Sequence, residues 1–185
     1  MAVTAEHAIP AEPAGQGILV EAAIHPVGIG AVIAEALITL TPDGKAKIEA
    51  AQMKFSSDLR DGIERWTRRL EQHQGAPIVS YHNSWPYLAR RFRLDIVDAI
   101  EPKEGVAPSV SRLASLAARM RKAQVRLIVR EPTAPAAAAQ FLAERTGANV
   151  VVLAPSVGSL PGTDDYVALF DYNVAILANA LTGTP

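Results

Sequence analysis

The period of the apolar positions along the chain changes near Pro77. Before it, Ile48, Phe55, Leu59, Ile63, Trp66 and Leu70 recur at gaps of 7, 4, 4, 3 and 4, which is a single stripe along a helix. Thr41 can cap that helix with Pro42 in its first turn, and Gly75-Ala76-Pro77 ends it. The spacing predicts a helix from Pro42 to near Gln74, roughly 30 residues and about 45 to 50 Å long. Gly62 falls inside it and weakens it by about 1 kcal/mol. Upstream, GIGAVIAEALITL predicts a shorter helix ending near Leu40, entered through Pro26 and two glycines. Ile18-Leu19-Val20 reads as a short strand or a loose apolar hook. Residues 1–17, rich in Ala, Pro, Glu and Gly, read as a flexible arm.

After Pro77, short β-rich runs alternate with helical stretches. Strands are predicted at Ile78–Tyr81, Asp95–Ile100, Val125–Val129 and Val150–Leu153. Helices are predicted near Trp85–Arg93, Pro108–Ala123 and Ala134–Arg145, the last stopping at Gly147, a good C′ residue. In the second of these Val110, Leu113, Leu116, Ala117 and Met120 share one face. Asp164 and Asp165 open a final helix with Tyr166, Leu169, Phe170, Asn173, Ile176, Leu177 and Leu181 turned inward. Such alternation with short connections implies an α/β fold: a single lobe with a four-stranded parallel sheet flanked by helices, preceded by a long backbone helix. The corresponding division is 1–17 arm, 18–41 residual segment and first helix, 42–75 long connecting helix, and 76–185 α/β lobe.

Composition narrows the function classes. The chain is 49% hydrophobic and 20% charged with net charge -1, which fits a globular protein and offers no basic face for nucleic acid. Cysteine is absent, excluding disulfides, thiolate metal sites and cysteine nucleophiles. No run approaches the roughly 18 apolar residues that span a bilayer. The opening MAVTAEHAIPAEPAGQG lacks the basic and apolar regions of a secretory signal, which places the chain in the cytoplasm if it is complete. The GIG at Gly28–Gly30 lacks the third glycine and the strand context of a phosphate loop. No nucleophile elbow or HExxH pattern is present.

In parallel α/β sheets, ligands sit at the carboxyl ends of strands. That rule selects His82, Glu131 and the loop ending at Asp164, which follow three different strands. A neutral imidazole at a fixed strand end suits Zn²⁺ or Mn²⁺, although a lone histidine there is more often structural. An aspartate at a helix start either caps the helix or ligates, and the Asp164–Asp165 pair allows one of each. Glu131 is an acceptor for a ligand imidazole or a loop acid. Trp85, Tyr87 and Phe92 follow helical spacing and read as core or interface, Arg90–Arg93 as a charged helix face, and His7 and His73 as surface residues. An acid–base pair of His82 and Asp164 would make an enzyme, but that needs a water-excluding pocket, and one lobe offers an open face.

Five segments, in order, carry a family resemblance: IAEALITLTPDGKAKIEAA, VSYHNSWPYLARRF, EPKEGVAPSVSRL, LIVREPTAPAAAAQFLAERTGANVVVL and DDYVALFDYNVAILANAL. From about Ile33 to Leu181 the chain resembles the C-terminal lobe of the zinc- and manganese-binding solute-binding proteins of bacterial ABC importers. The resemblance implies two α/β lobes joined by a long rigid helix, with the metal between them on about four side chains. It implies a periplasmic protein that hands its metal to an importer permease and catalyses nothing. By position, His82 is the implied ligand at the first strand end and Asp164 the implied ligand before the last helix, with Asp165 its neighbour in doubt and Glu131 behind His82. The N-terminal lobe is missing. The family's histidine before the first helix falls on Ile18, and His25 lies seven residues out of register. The resemblance therefore implies a truncated form holding half a metal site, completed by a second copy in a homodimer or by a separate partner. The alternative is a metal-free structural or interaction remnant of the family.

Overall fold

The computed structural model describes residues 18–103 and 105–183, with the backbone alone for residues 18–26. The expected arm at 1–17, including His7, lies outside the described residues. Helix α1 runs Ile18–Leu40. The expected strand or hook at Ile18–Val20 is therefore corrected to helix, and the backbone stays helical through Pro26. The stretch from Ile18 to Leu40 is apolar on nearly every side, so its period marks no boundary at the proline.

The long helix forms as the stripe predicts. A 3₁₀ turn at Pro42–Gly44 leads into α2, Lys45–Leu70, and a second 3₁₀ turn at Glu71–His73 ends it. Pro42 opens the turn, but the Thr41 side chain makes no capping bond. Ser56, Leu59, Gly62, Trp66 and Leu70 are buried along one face.

The lobe follows as β1 Pro77–Ser80, α3 Pro86–Phe92, β2 Asp95–Ala99, α4 Val110–Lys122, β3 Leu127–Arg130, α5 Ala136–Thr146, β4 Asn149–Val152 and α6 Tyr166–Thr182. All four strands pair in parallel in the order β2-β1-β3-β4. Alternation of side chains divides the core in two. Ile78, Leu127 and Val129 pack with Leu59, Trp66, Leu70, Phe92 and Leu177. Val79 and Ile128 pack on the opposite side with Leu116, Met120 and Leu142. Burial at about 25 cal/mol per Å² of apolar area is what holds the two helical layers to the sheet.

One expectation about orientation is corrected, for Val110, and one is narrowed, for Tyr87, which is not a core residue. Val110 is 80% exposed, so it is not on the inward face of α4 with Leu116, Ala117 and Met120; it occupies the first helical position, before the helix settles on the sheet. Tyr87 is 86% exposed while Trp85 and Phe92 are buried. In so short a helix only one face reaches the core, and Tyr87 falls on the other. Gly147 takes a left-handed φ of 74° and closes α5, as its position predicts. Along α1 and the start of α2, Ile29, Val32, Ile33, Leu37, Leu40 and Met53 remain exposed. Among the described residues no helix is long and apolar enough to cross a membrane.

Candidate metal centre

The strand order places the change of direction between β1 and β3. From β1 the chain moves outward to β2, then returns across the sheet to β3 and β4. In parallel sheets the connecting loops diverge at such a point, which is where ligands commonly bind. Pairing continues one step beyond the strands: Tyr81 N–H donates to Val129 O at 2.7 Å, Ile100 N–H to Ser80 O at 2.9 Å and Glu101 N–H to Tyr81 O at 2.8 Å. His82, Glu101 and Glu131 therefore stand at three adjacent strand ends, Glu101 within the extended pairing and His82 one residue beyond it.

His82 is held between two acids. Its Nδ1 lies 3.0 Å from Glu131 Oε2, and its Nε2 lies 3.9 Å from Glu101 Oε2. The Tyr81 ring meets the imidazole edge-on at 4.8 Å between centroids. Glu131 is 5% exposed and Glu101 9% exposed, whereas the His82 side chain keeps 25% of its surface in solvent. The turn after β3 is fixed by Arg130, whose Nη1 donates to the carbonyls of Glu131 and Ala134 at 3.1 and 2.9 Å. Glu131 Oε1 is buried without a partner. The Tyr81 phenol is pushed up from its ordinary value, first by burial and then by the fields of Glu101 and Glu131.

Asp164 and Asp165 are both exposed. Asp165 caps α6, its carboxylate accepting from Ala168 N–H at 2.8 Å. The preceding turn is built by Thr163, which is buried and donates through its hydroxyl to Leu160 O at 2.7 Å. No hydrogen bond or ion pair among the described residues joins Asp164 to His82. Asp165 lines a surface groove against α2 with Lys54, Asp58, Asp61, Arg65 and Asp171. The side chain of His25 lies outside the described residues. His73 is half-buried near Thr182 Oγ1, at 3.3 Å. Among the described residues no three His, Asp or Glu side chains are grouped to hold an ion by themselves. Glu131 and Glu101 lie against different ring nitrogens of His82.

Glu101 is the residue that sequence reasoning passed over. Its signal was its place directly after the second apolar strand run, the same offset that singled out His82.

A parallel α/β lobe with the strand order β2-β1-β3-β4 is a doubly wound lobe, and its imidazole and two acids stand at the switch-point strand ends. Residues 28–180 match the family model "ZnuA: Zinc-uptake complex component A periplasmic", and the chain belongs to that family. Its fold is similar to that of the laminin-binding protein Lbp of Streptococcus pyogenes, at 22% identity and TM-score 0.72, covering 89% of this chain and 65% of that one. It is also similar to the Mn-bound periplasmic metal binding protein from candidatus liberibacter asiaticus, at 21% identity and TM-score 0.70, covering 86% and 60%. A third similar structure is that of ZnuA, at 23% identity and TM-score 0.69, covering 80% and 55%. The chain thus spans about three-fifths of the length of these structures. No curated protein sequence matches it.

Proposed function

We propose that the chain binds zinc or manganese as cargo, as the lobe of a solute-binding component of an ABC importer that carries half of the metal site. The observation behind this reading is the Glu131-oriented His82 at the switch point of a lobe whose family is named for zinc uptake. A carboxylate on Nδ1 fixes the ring and leaves Nε2 to ligate, which is how metal-bound histidines are commonly held. Asp164, at the start of α6, is the second proposed ligand, with Asp165 occupied in capping. Nitrogen and oxygen donors of this kind suit both metals. The chain acts in the periplasm by binding and release, not by catalysis, and its partner is an importer permease.

One lobe does not close a coordination shell, so the remaining donors come from outside it. A second copy facing the first at the strand ends would supply a second imidazole and a second carboxylate, making four donors around one ion.

Calorimetric titration of Zn²⁺ and Mn²⁺ into the purified chain tests the reading. Wild type is expected to bind, and His82→Ala to lose at least about tenfold in affinity. A wild-type chain that takes up neither metal would overturn it and favour the metal-free remnant.

A further inference from the structure

The geometry points to Glu101 as a direct ligand of the metal ion carried at His82, an inference that rests on the metal-binding reading above. With Nδ1–H given to Glu131, the lone pair of Nε2 faces away from that acid. The group it faces is Glu101, whose Oε2 lies 3.9 Å off. This is too long for a hydrogen bond. An ion about 2.1 Å from each of two donors at a tetrahedral angle holds them about 3.4 Å apart. A movement of about half an ångström in either side chain would therefore let one ion bridge Nε2 and Oε2.

Charge supports the same assignment. Glu101 and Glu131 are both more than nine-tenths buried, and burial of carboxylates is costly unless they are paired or bind a cation. Among the described residues neither carboxylate forms an ion pair with lysine or arginine; each is paired with His82 alone. The Arg130 guanidinium is spent on backbone carbonyls. Glu131 Oε1 has no hydrogen-bond partner among the described residues. Two buried acids and one imidazole at adjacent strand ends make a site that is short of positive charge, and a divalent cation supplies it.

Glu101 is also built in. Its Oε1 accepts from Gly105 N–H at 2.6 Å, and Gly105 takes a φ of 77° that favours glycine. The turn after β2 thus fixes one carboxylate oxygen and leaves Oε2 directed at the imidazole.

The test compares wild type, Glu101→Gln and His82→Ala by titration of Zn²⁺ and Mn²⁺ into the full chain, with the visible spectrum of the Co²⁺-loaded protein as a reading of donor set. Glutamine keeps a carbonyl for Gly105 N–H, so the metal-free Tm should hold. Expected results are a fall in affinity of at least about tenfold for Glu101→Gln and an altered Co²⁺ spectrum. If glutamine lowers the metal-free Tm, Glu101→Asp keeps the charge and withdraws the oxygens by one methylene; it should weaken binding as well. Wild-type affinity and an unchanged spectrum in both Glu101 variants, with binding lost in His82→Ala, would overturn this assignment and leave the proposed function standing. A wild-type chain that binds no metal would overturn both.

Discussion

Glu131 touches no cargo in this arrangement, yet it decides which nitrogen of His82 is free. Glu131→Gln keeps an acceptor near Nδ1 and removes the charge behind it. Metal affinity is expected to fall by roughly tenfold, read by calorimetry, with little change in the metal-free Tm. Tyr81, next to His82, gives a prediction in pH. Its phenol is pushed up by burial and by the two acids, and the Tyr166 phenol is pushed up by burial. The folded chain therefore keeps two protons that the unfolded chain releases from about pH 10. Stability is full below that value and falls as pH rises through the raised folded values. Tyr166→Phe should flatten part of this alkaline loss in unfolding titrations; an identical pH profile would show that the phenol does not contribute.

At the scale of elements, Gly62 has a role its helix propensity hides. A Cβ there would lie 2.8 Å from one carbon of the Trp66 ring and 2.9 Å from another. That ring cannot move aside easily: Trp66 is 4% exposed, stacks on Phe170 at 5.0 Å and donates from Nε1 to Asp171 Oδ1 at 2.6 Å. The about 1 kcal/mol that alanine adds to a helix is set against an overpacking cost of about 1–3 kcal/mol. Gly62→Ala should lose about 1 kcal/mol in denaturant unfolding, and a gain would show that the tryptophan repacks. The two acids before α6 separate in the same assay. Asp165→Ala removes the cap and should cost about 1 kcal/mol, whereas Asp164→Ala should leave stability unchanged and lower metal affinity. Asn173 clamps the chain after β4, its amide bonding both the N–H and the carbonyl of Ala154 at 2.8 and 2.9 Å. Removing it would strand two buried backbone groups.

At the scale of the molecule, the described residues carry a row of exposed apolar side chains along α1. If a second copy completes the coordination shell, zinc should drive association. Sedimentation velocity across a zinc titration is expected to show conversion from monomer to dimer, blocked by His82→Ala. A monomer at every zinc concentration would leave a separate partner as the source of the missing donors.

The α/β alternation, the parallel sheet and the long helix were legible because their periods, 2 and 3.6, are local properties of the chain. So was the place of His82 at a strand end, which the close of one apolar run marks by itself. The limits of α1 were not, because a segment apolar all round carries no phase, and neither was the outward turn of Val110 and Tyr87, which depends on where each helix meets the sheet. Glu101 also escaped the sequence. Its strand is second in the chain, yet it lies beside the first in the sheet, and only the order β2-β1-β3-β4 brings its carboxylate to the imidazole. Local periodicity wrote the elements, while the juxtaposition of one histidine with two buried acids arose from strand pairing across the sheet, which no local pattern encodes.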